Sequence, residues 1–299
     1  MMSFELSMST KKWQFNFRNA ILIFSMLLFF TQCNENEETA EKEEKVTSFL
    51  AQFEFTGEYL DISAETENSR ATHWKPDGSM VFITGRYSNN VAAYAVSEAW
   101  EIGSATFSHA QVVPGEFQHG LFFHDSGEKL WVFDRTSIWT LTLEEAWNLH
   151  SLSDSLNTDL SSFVERGHDV DFKPDGSYIF IDDRNTGAVF AVSLSTPWDI
   201  TTKNLEYTLD ISDIQVEVRG IEFVKNGKMM ILMDTGRDEV LEFHLSEPYD
   251  ISTAELVYAF DVSSQTNQGR GLSFNADETS FYITGRDEEK VFQYRIVAE

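Results

Sequence analysis

Five segments of the chain repeat one pattern of apolar and polar positions. Each segment opens with an Arg or a His, continues through a short apolar run to an aromatic residue, and then turns at Asp, Asn or Gly. Two further apolar or alternating runs follow, and in four segments a Trp or Tyr leads into a fourth run. The aromatic residues that this pattern aligns lie 48, 50, 51 and 51 residues apart, at Trp74, Phe122, Phe172, Phe223 and Phe274. Period-two runs bounded by turn residues, repeated about every 50 residues, predict an all-β fold, a β-propeller with one four-stranded blade per repeat.

The two ends of the repeat region complement one another. The fifth segment stops after its third run, at Glu299. The missing fourth run occurs near the other end of the chain, where "DISAETENSR" (61–70) matches "DVSSQTNQGR" (261–270) in spacing. We therefore expect the segment Phe53–Ile62 to complete the last blade, which gives five blades and pairs the exposed sheet edges. A ring with unpaired edges, or an oligomeric ring, is the alternative.

Short motifs within the repeats resemble a known family. The pieces "LSTPWDI", "LSEPYDIST" and "KPDGSYIFI" are similar to the blades of a widespread bacterial and phage β-propeller family, and more distantly to lactonase-like and YVTN-type propellers. The resemblance covers residues 53–299. It implies the fold and leaves the activity open, because propellers carry many unrelated functions.

Residues 1–32 have the features of an export signal. Basic residues, among them Lys11 and Arg18, precede the apolar run "AILIFSMLLFF", which is too short for a comfortable membrane span. The run leads into "TQC", whose Cys33 is the only cysteine of the chain. The segment resembles a bacterial lipoprotein signal, which implies lipidation of Cys33. A plain secretory signal or an uncleaved anchor is the alternative.

Residues 33–45 are expected to form an acidic flexible tether before the propeller domain at 46–299, because they are rich in Glu and lack aromatic residues. This organisation predicts a lipoprotein of the outer membrane or cell surface, or otherwise a periplasmic or secreted protein. Membrane contact would then occur only through the N-terminal lipid.

The charge of the chain excludes one class of partner. The formal net charge is −27 at pH 7, so the chain lacks the basic face that binding to nucleic acid requires.

Positive charge recurs at two fixed positions of the repeat. Together these positions hold eight of the eleven arginines of the chain. In a propeller the first strand of each blade lines the central channel, and the turn between the second and third strands lies on the same face as the start of the first. We name the cations at the start of the first strands the inner ring: Arg70, His119, His168, Arg219 and Arg270. The arginines in the turns between second and third strands are the turn ring: Arg86, Arg135, Arg184, Arg237 and Arg286.

The two rings favour different interpretations. Guanidinium groups recognise carboxylate, sulfate and phosphate through planar bidentate hydrogen bonds, so the inner ring predicts an anion-binding channel mouth. Most turn-ring arginines have an acidic neighbour in sequence, which favours a structural role in ion pairs between blades. An inner ring that is structural as well remains the alternative.

Acidic residues near the inner ring suggest two further possibilities. Asp169, Asp171 and Glu222 could offer oxygen ligands to Ca²⁺, but no calcium-loop motif is present, and pairing with the nearby arginines is the simpler expectation. No cofactor is therefore expected. His119, His168 and Glu222 could instead form a general acid–base set for lactonase or lyase chemistry, although the common hydrolase, zinc-protease and nucleotide-binding motifs are missing from the sequence.

These observations predict an exported binding or interaction module whose ligand is an anionic small molecule, glycan or protein partner. The alternatives are a lactonase- or lyase-type enzyme and a purely structural surface protein.

Overall fold

The computed structural model describes residues 48–214 and 216–297. The predicted signal peptide, the tether and Cys33 lie outside these residues. Among the helices of the described residues, none has the length and apolar character needed to cross a membrane.

The described chain forms five four-stranded antiparallel sheets. This confirms the predicted five-bladed β-propeller. Blade 1 contains β2 (Ser69–Trp74), β3 (Met80–Gly85), β4 (Asn90–Val96) and β5 (Ala105–Val112). Blade 2 contains β6 (Gln118–Phe123), β7 (Lys129–Asp134), β8 (Ser137–Leu143) and β9 (Leu152–Asp159). Blade 3 contains β10 (Gly167–Phe172), β11 (Tyr178–Asp183), β12 (Ala188–Leu194) and β13 (Lys203–Asp210). Blade 4 contains β14 (Val218–Val224), β15 (Met229–Asp234), β16 (Glu239–Leu245) and β17 (Ala254–Asp261). Blade 5 contains β18 (Gly269–Phe274), β19 (Ser280–Gly285), β20 (Lys290–Ile296) and β1 (Phe53–Asp61).

The N-terminal strand closes the ring, as the sequence predicts. β1 pairs antiparallel with β20, from Phe53 opposite Ile296 to Asp61 opposite Lys290. The residues before β1 also reach blade 4, where the buried Glu242 accepts hydrogen bonds from the backbone N–H groups of Phe49 and Leu50 at 3.0 and 2.8 Å. The first described residues therefore join blade 5 to blade 4.

The aromatic residue assigned to blade 2 from the sequence is off by one position. Phe123, and not Phe122, pairs with the first part of strand two as Trp74 and Phe172 do in their blades. Phe123 is fully buried between blades 1 and 2, whereas Phe122 faces the channel half-buried. Two adjacent aromatic residues look alike in sequence, and only the strand pairing distinguishes them.

The "WDI" motif and its counterparts in blades 1, 2 and 4 build the corner before the outer strand. Trp198 has a φ of 66° and covers Gly176, whose own φ of 71° suits a residue without a side chain. Asp199 then accepts a hydrogen bond from the N–H of Thr201 and caps a short 3₁₀ helix that buries Ile200. The six 3₁₀ helices of the described residues are Leu50–Gln52, Ile102–Ser104, Leu149–Ser151, Ile200–Thr202, Ser212–Ile214 and Ile251–Thr253.

The hydrophobic core lies between neighbouring blades. Each apolar cluster combines side chains of two adjacent sheets, such as Phe82 of blade 1 with Leu130 of blade 2. The innermost strands β2, β6, β10, β14 and β18 pack side by side around the axis, each against the next. All five blades contribute to the channel that these strands enclose.

Closure by β1 gives the first testable prediction. Phe53 is 2% exposed and packs between Phe49 and Phe281, so Phe53→Ala should lower the free energy of unfolding by about 3–5 kcal/mol. Glu54 is exposed on the same strand, and Glu54→Ala should change stability by no more than about 0.5 kcal/mol. Urea denaturation of both variants makes the comparison, and equal effects would contradict a role for β1 packing in closure.

Candidate functional site

A β-bulge in each innermost strand presents the inner-ring residue to the channel. The register with strand two shifts at the same point in all five blades, between Ser69 and Thr72 in blade 1 and at the equivalent pairs elsewhere. Each bulge contains the cation and the residue after it. Because a bulge locally bends its strand and redirects side chains, it turns the cation towards the axis.

Polar side chains of strand two support the bulges. In blade 3, Oδ1 of Asp182 accepts hydrogen bonds from the N–H groups of His168 and Asp169, both at 2.8 Å. In blade 1, Oγ1 of Thr84 accepts from the N–H of Ala71 at 2.9 Å. These bonds satisfy backbone donors that the bulge removes from the sheet ladder.

The residue after the cation must be small in most blades. A Cβ on Gly271 would lie 2.5 Å from the backbone oxygen of Arg70, and a Cβ on Gly220 would lie 2.7 Å from that of Arg270. Neighbouring innermost strands therefore approach too closely at this level for a side chain. Blade 3 carries Asp169 here, and its carboxyl group projects into the channel instead.

The five inner-ring residues meet around one cavity. Their side chains line a space of about 10 Å³, together with Ala71 and Asp169. Each of them is at least nine-tenths buried, and Arg270 is only 1% exposed. A space of this size holds one water-sized group.

Each inner-ring arginine is only partly hydrogen-bonded. The Nη2 groups of Arg219 and Arg270 donate to Glu217 and Gln268, at 2.9 and 2.5 Å, and Arg70 donates to Asn68 in the same way. The Nε of all three arginines, and Nη1 of Arg70 and Arg270, are buried without a hydrogen-bond partner among the described residues. Unpaired buried N–H groups of a cation cost several kcal/mol in total.

The two histidines of the ring are in direct contact. The rings of His119 and His168 meet edge to face, with centroids 4.3 Å apart. The Nδ1 of each lies 3.2 Å from the carbonyl oxygen of Gly167, so the N–H is at Nδ1 and Nε2 faces the cavity without a partner in the described chain. Burial first, and then neighbouring positive groups, lower the pKa of both histidines well below the usual value, which makes them neutral at pH 7.

The electrostatics of the cavity are strongly positive. Burial, followed by repulsion from Arg219 and Arg70, lowers the pKa of Arg270 to about 7. Burial and repulsion from Arg86 lower the pKa of Arg70 to about 9. Guanidinium groups keep their proton in proteins. The lowered pKa values therefore reflect the free-energy cost of burying these positive charges without an anion nearby. A bound anion would relieve it.

The turn ring surrounds the inner ring and is engaged with its neighbours. Arg184 pairs at 3.0 Å with Glu217, which also binds Arg219, so this carboxylate connects two blades and both rings. Arg86 reaches the ring of Phe117 in the next blade at 4.9 Å, and Arg135 covers the same ring at 3.6 Å. The remaining two contact acidic residues of their own turns, in the pairs Arg286–Asp287 at 2.6 Å and Arg237–Asp234 at 3.9 Å.

Asp169, Asp171 and Glu222 form no ion pair with the inner-ring arginines, contrary to the simpler expectation. Asp171 accepts a hydrogen bond from the N–H of Phe223 in the next blade at 2.8 Å, and Glu222 accepts from that of Phe274 at 3.0 Å. The separation follows from strand geometry, since three residues along a strand span roughly 10 Å. Within the described residues no group of three His, Asp or Glu side chains is arranged to hold a metal ion.

The set considered for acid–base chemistry is divided between two cavities. His119 and His168 line the cationic cavity, whereas Glu222 lines a second cavity of about 380 Å³ further along the axis. Asp169 borders both. A mechanism that needs His119, His168 and Glu222 at one substrate atom is therefore not supported by this arrangement.

Comparisons with known proteins find only distant structural likenesses. No sequence-family profile matches the chain. No curated protein matches it either. Among solved structures, the β-propeller domain of Cps50 (Swd1) from Myceliophteria thermophila is 7% identical and has a TM-score of 0.49, covering 81% of this chain and 100% of that one. A candidate 6-phosphogluconolactonase from Bacteroides fragilis is 17% identical with a TM-score of 0.47, covering 81% and 75%.

The periplasmic gluconolactonase of Pseudomonas aeruginosa is 14% identical with a TM-score of 0.45. The match covers 73% of this chain, which spans only 63% of the length of that protein. Likenesses at this level carry no argument about what the chain binds or transforms.

The buried positive charge of the inner ring should lower the stability of the fold when no anion is bound. In low-salt buffer without oxyanions, Arg270→Met should raise the free energy of unfolding by about 1–3 kcal/mol, because it removes a buried and largely unpaired cation. The matched control is Arg286→Met at a half-buried arginine paired with Asp287, where we expect a change within about 0.5 kcal/mol. Urea denaturation measures both. A loss of more than 1 kcal/mol in Arg270→Met would show that its packing and its bond to Gln268 outweigh the cost of the charge.

Proposed function

We propose that the protein is an exported binding module whose inner ring captures an anion at the axis of the propeller. The observation that carries the proposal is the convergence of three buried arginines, with unpartnered N–H groups among the described residues, on one small cavity. Stability alone does not account for such a cluster, because each buried charge without a counter-charge destabilises the fold. A ligand that supplies the counter-charge would recover this energy as binding affinity.

The cavity also restricts the kind of ligand. A space of about 10 Å³ accepts a monatomic anion, or one oxygen atom of a carboxylate, sulfate or phosphate group whose remaining atoms stay outside the cavity. Burial, and then Asp182, raise the pKa of Asp169 well above its usual value. A protonated Asp169 would donate a hydrogen bond to an anion rather than repel it.

An anion panel tests the proposal. Sodium chloride, acetate, sulfate and phosphate at matched ionic strength are compared by thermal unfolding. At a concentration one hundred times its Kd, a bound anion adds about 2.7 kcal/mol of stability, which corresponds to a rise in Tm of roughly 5–10 °C for a domain of this size. The rise should disappear in the double variant Arg219→Ala/Arg270→Ala.

The turn ring provides the control for this experiment. Arg237→Ala/Arg286→Ala removes the same formal charge from the outer ring and should retain most of the stabilisation, since these arginines already contact Asp234 and Asp287. No shift with any anion would refute the proposal and favour a purely structural protein. If both double variants lose the rise in Tm equally, the stabilisation comes from the overall electrostatic field of the protein rather than from binding in the cavity. Turnover of a lactone that is lost in His168→Ala would instead favour the enzymatic alternative.

The export part of the proposal rests on the sequence of residues 1–33. If Cys33 is lipidated, expression in a bacterial host supplied with radiolabelled palmitate should label the wild-type protein and not the Cys33→Ser variant. The control is a serine-to-alanine change within the same segment, Ser25→Ala, which should leave labelling intact. Equal labelling of Cys33→Ser, or none in the wild type, would leave a plain secretory signal as the better explanation.

A further inference from the structure

A second cavity opens at the other end of the innermost strands. Its volume is about 380 Å³, within the range of small-molecule sites. It is lined by the residue three positions after each inner-ring cation, in four blades also by the residue after that, and by the turns that follow the innermost strands. The narrow level of Gly220 and Gly271 separates it from the cationic cavity, and Asp169 borders both.

The charged groups of this cavity are acidic. Asp171 and Glu222 lie in its wall, and each is held by a hydrogen bond from the backbone of the next blade, so both carboxyl groups have fixed positions. Asp125 and Glu278 lie nearer the opening. No lysine or arginine of the described chain lines the cavity.

Aromatic rings form a large part of the remaining wall. The innermost strands contribute Trp74, Phe122, Phe172, Phe223 and Phe274. Neighbouring rings are in contact, as between Phe122 and Phe172, whose centroids are 4.9 Å apart. Faces of aromatic rings attract cations, and the attraction is stronger where water is excluded.

An unpartnered polar group points to a ligand in this cavity. Ser273 occupies the ring position that Asp171 and Glu222 occupy in their blades, and it is 6% exposed. Its Oγ has no hydrogen-bond partner among residues 48–214 and 216–297. Buried hydroxyl groups are almost always bonded in folded proteins, so this one is available to a bound molecule.

We propose that this second cavity binds a small organic ammonium ion. The ammonium group is held against Asp171 and Glu222, its carbon substituents contact the aromatic wall, and Ser273 Oγ contacts the polar part of the ligand. The site is independent of the anion site: it lies at the opposite end of the channel and uses charges of the opposite sign. The alternative occupant of an aromatic and carboxyl-lined cavity is a neutral carbohydrate. Glu278 is paired with Lys225 at 2.8 Å, but within the described residues no lysine or arginine pairs with Asp171 or Glu222, which favours the ammonium ion.

Binding should depend on pH through the carboxyl groups. Burial raises the pKa of Asp171 to about 7, and burial followed by repulsion from Asp171 raises that of Glu222 well above its usual value. An ammonium ion favours the ionised carboxylates, so binding releases protons and affinity rises as the pH increases through 7. The other titratable groups of the cavity wall are His73, Asp125, Asp169, Tyr249 and Glu278. His73 is neutral in this range, because burial lowers its pKa to about 4.

Choline chloride and 3,3-dimethylbutan-1-ol provide a matched pair of probes, because the two differ by a charged nitrogen in place of a carbon. Titration calorimetry on the full chain at pH 8.5 should show choline binding at least about tenfold more tightly than the alcohol. At pH 5.5 choline should bind about tenfold more weakly than at pH 8.5. Choline has no group that titrates in this interval, so the change reports the protein.

Three variants locate the site. Glu222→Gln and Asp171→Asn keep the size of the side chain and remove the charge, and each should weaken choline binding about tenfold or more while sparing the alcohol. Ser273→Ala should weaken it several-fold, and it is small enough to preserve folding. The control is Asp154→Asn, which removes an exposed carboxylate on β9 that lines neither cavity. This variant should bind choline normally.

Several results would overturn the proposal. Equal binding of choline and the alcohol would show an apolar cavity without charge recognition. Absence of choline binding, or binding of methyl glucoside alone, would exclude an ammonium site. Choline binding that survives all three variants would place it elsewhere. Circular dichroism checks that each variant is folded, and the comparison of the two probes on the wild-type protein decides the question even if one variant is not.

Discussion

The close approach of the five innermost strands is the constraint on which the site depends. At the level of Gly220 and Gly271 the backbones of neighbouring strands leave no room for a Cβ. The bulge in each strand lies at this level, so five side chains turn towards the axis over a very short distance. The inner-ring cations would be far apart on an open sheet, but here they lie close together. Their electrostatic repulsion destabilises the fold, so a bound anion would stabilise it.

The same constraint divides the channel. Above the narrow level the wall is cationic, and below it the wall is acidic and aromatic. Because, apart from Asp169, each innermost strand contributes different residues to the two cavities, a blade can change one cavity without changing the other. Blade 3 is the exception, since Asp169 borders both cavities and packs beside His168. Its carboxyl group is the only ionisable side chain of the described residues that adjoins both sites.

The architecture could be predicted from the sequence because each blade repeats the same local pattern of apolar, polar and turn residues. Period-two runs and turn residues recur in every blade, the corner motif recurs in four of them, and the matching segments at 61–70 and 261–270 indicate how the ring closes. The inner ring could be placed for the same reason. The bulge could not, because it arises from the closeness of neighbouring strands, which a single repeat does not encode.

The position of the acidic residues illustrates the same limit. Asp171 and Glu222 are three residues from a cation in sequence and appear available for pairing. In the fold, three residues of strand place both carboxyl groups beyond the level of Gly220 and Gly271, in the second cavity. There the carboxyl groups accept hydrogen bonds from backbone N–H groups of the next blade. The identity of Phe123 as the core residue of blade 2 likewise depends on pairing with Leu130, which composition does not reveal.

Closure by β1 has a consequence for how the molecule folds. Phe53 and Ile296 pair across 243 residues of chain (296 − 53), whereas the other strand pairs of the described blades are local. Blades 1 to 4 contain all their own strands, but blade 5 remains incomplete, with the edge of β20 exposed, until the first strand of the chain returns to it. Non-local pairing carries a loop-closure cost and slows folding. The first strand of the propeller to be synthesised is therefore the last to take its place, and the interval before it does so is the one in which two chains could exchange their N-terminal strands.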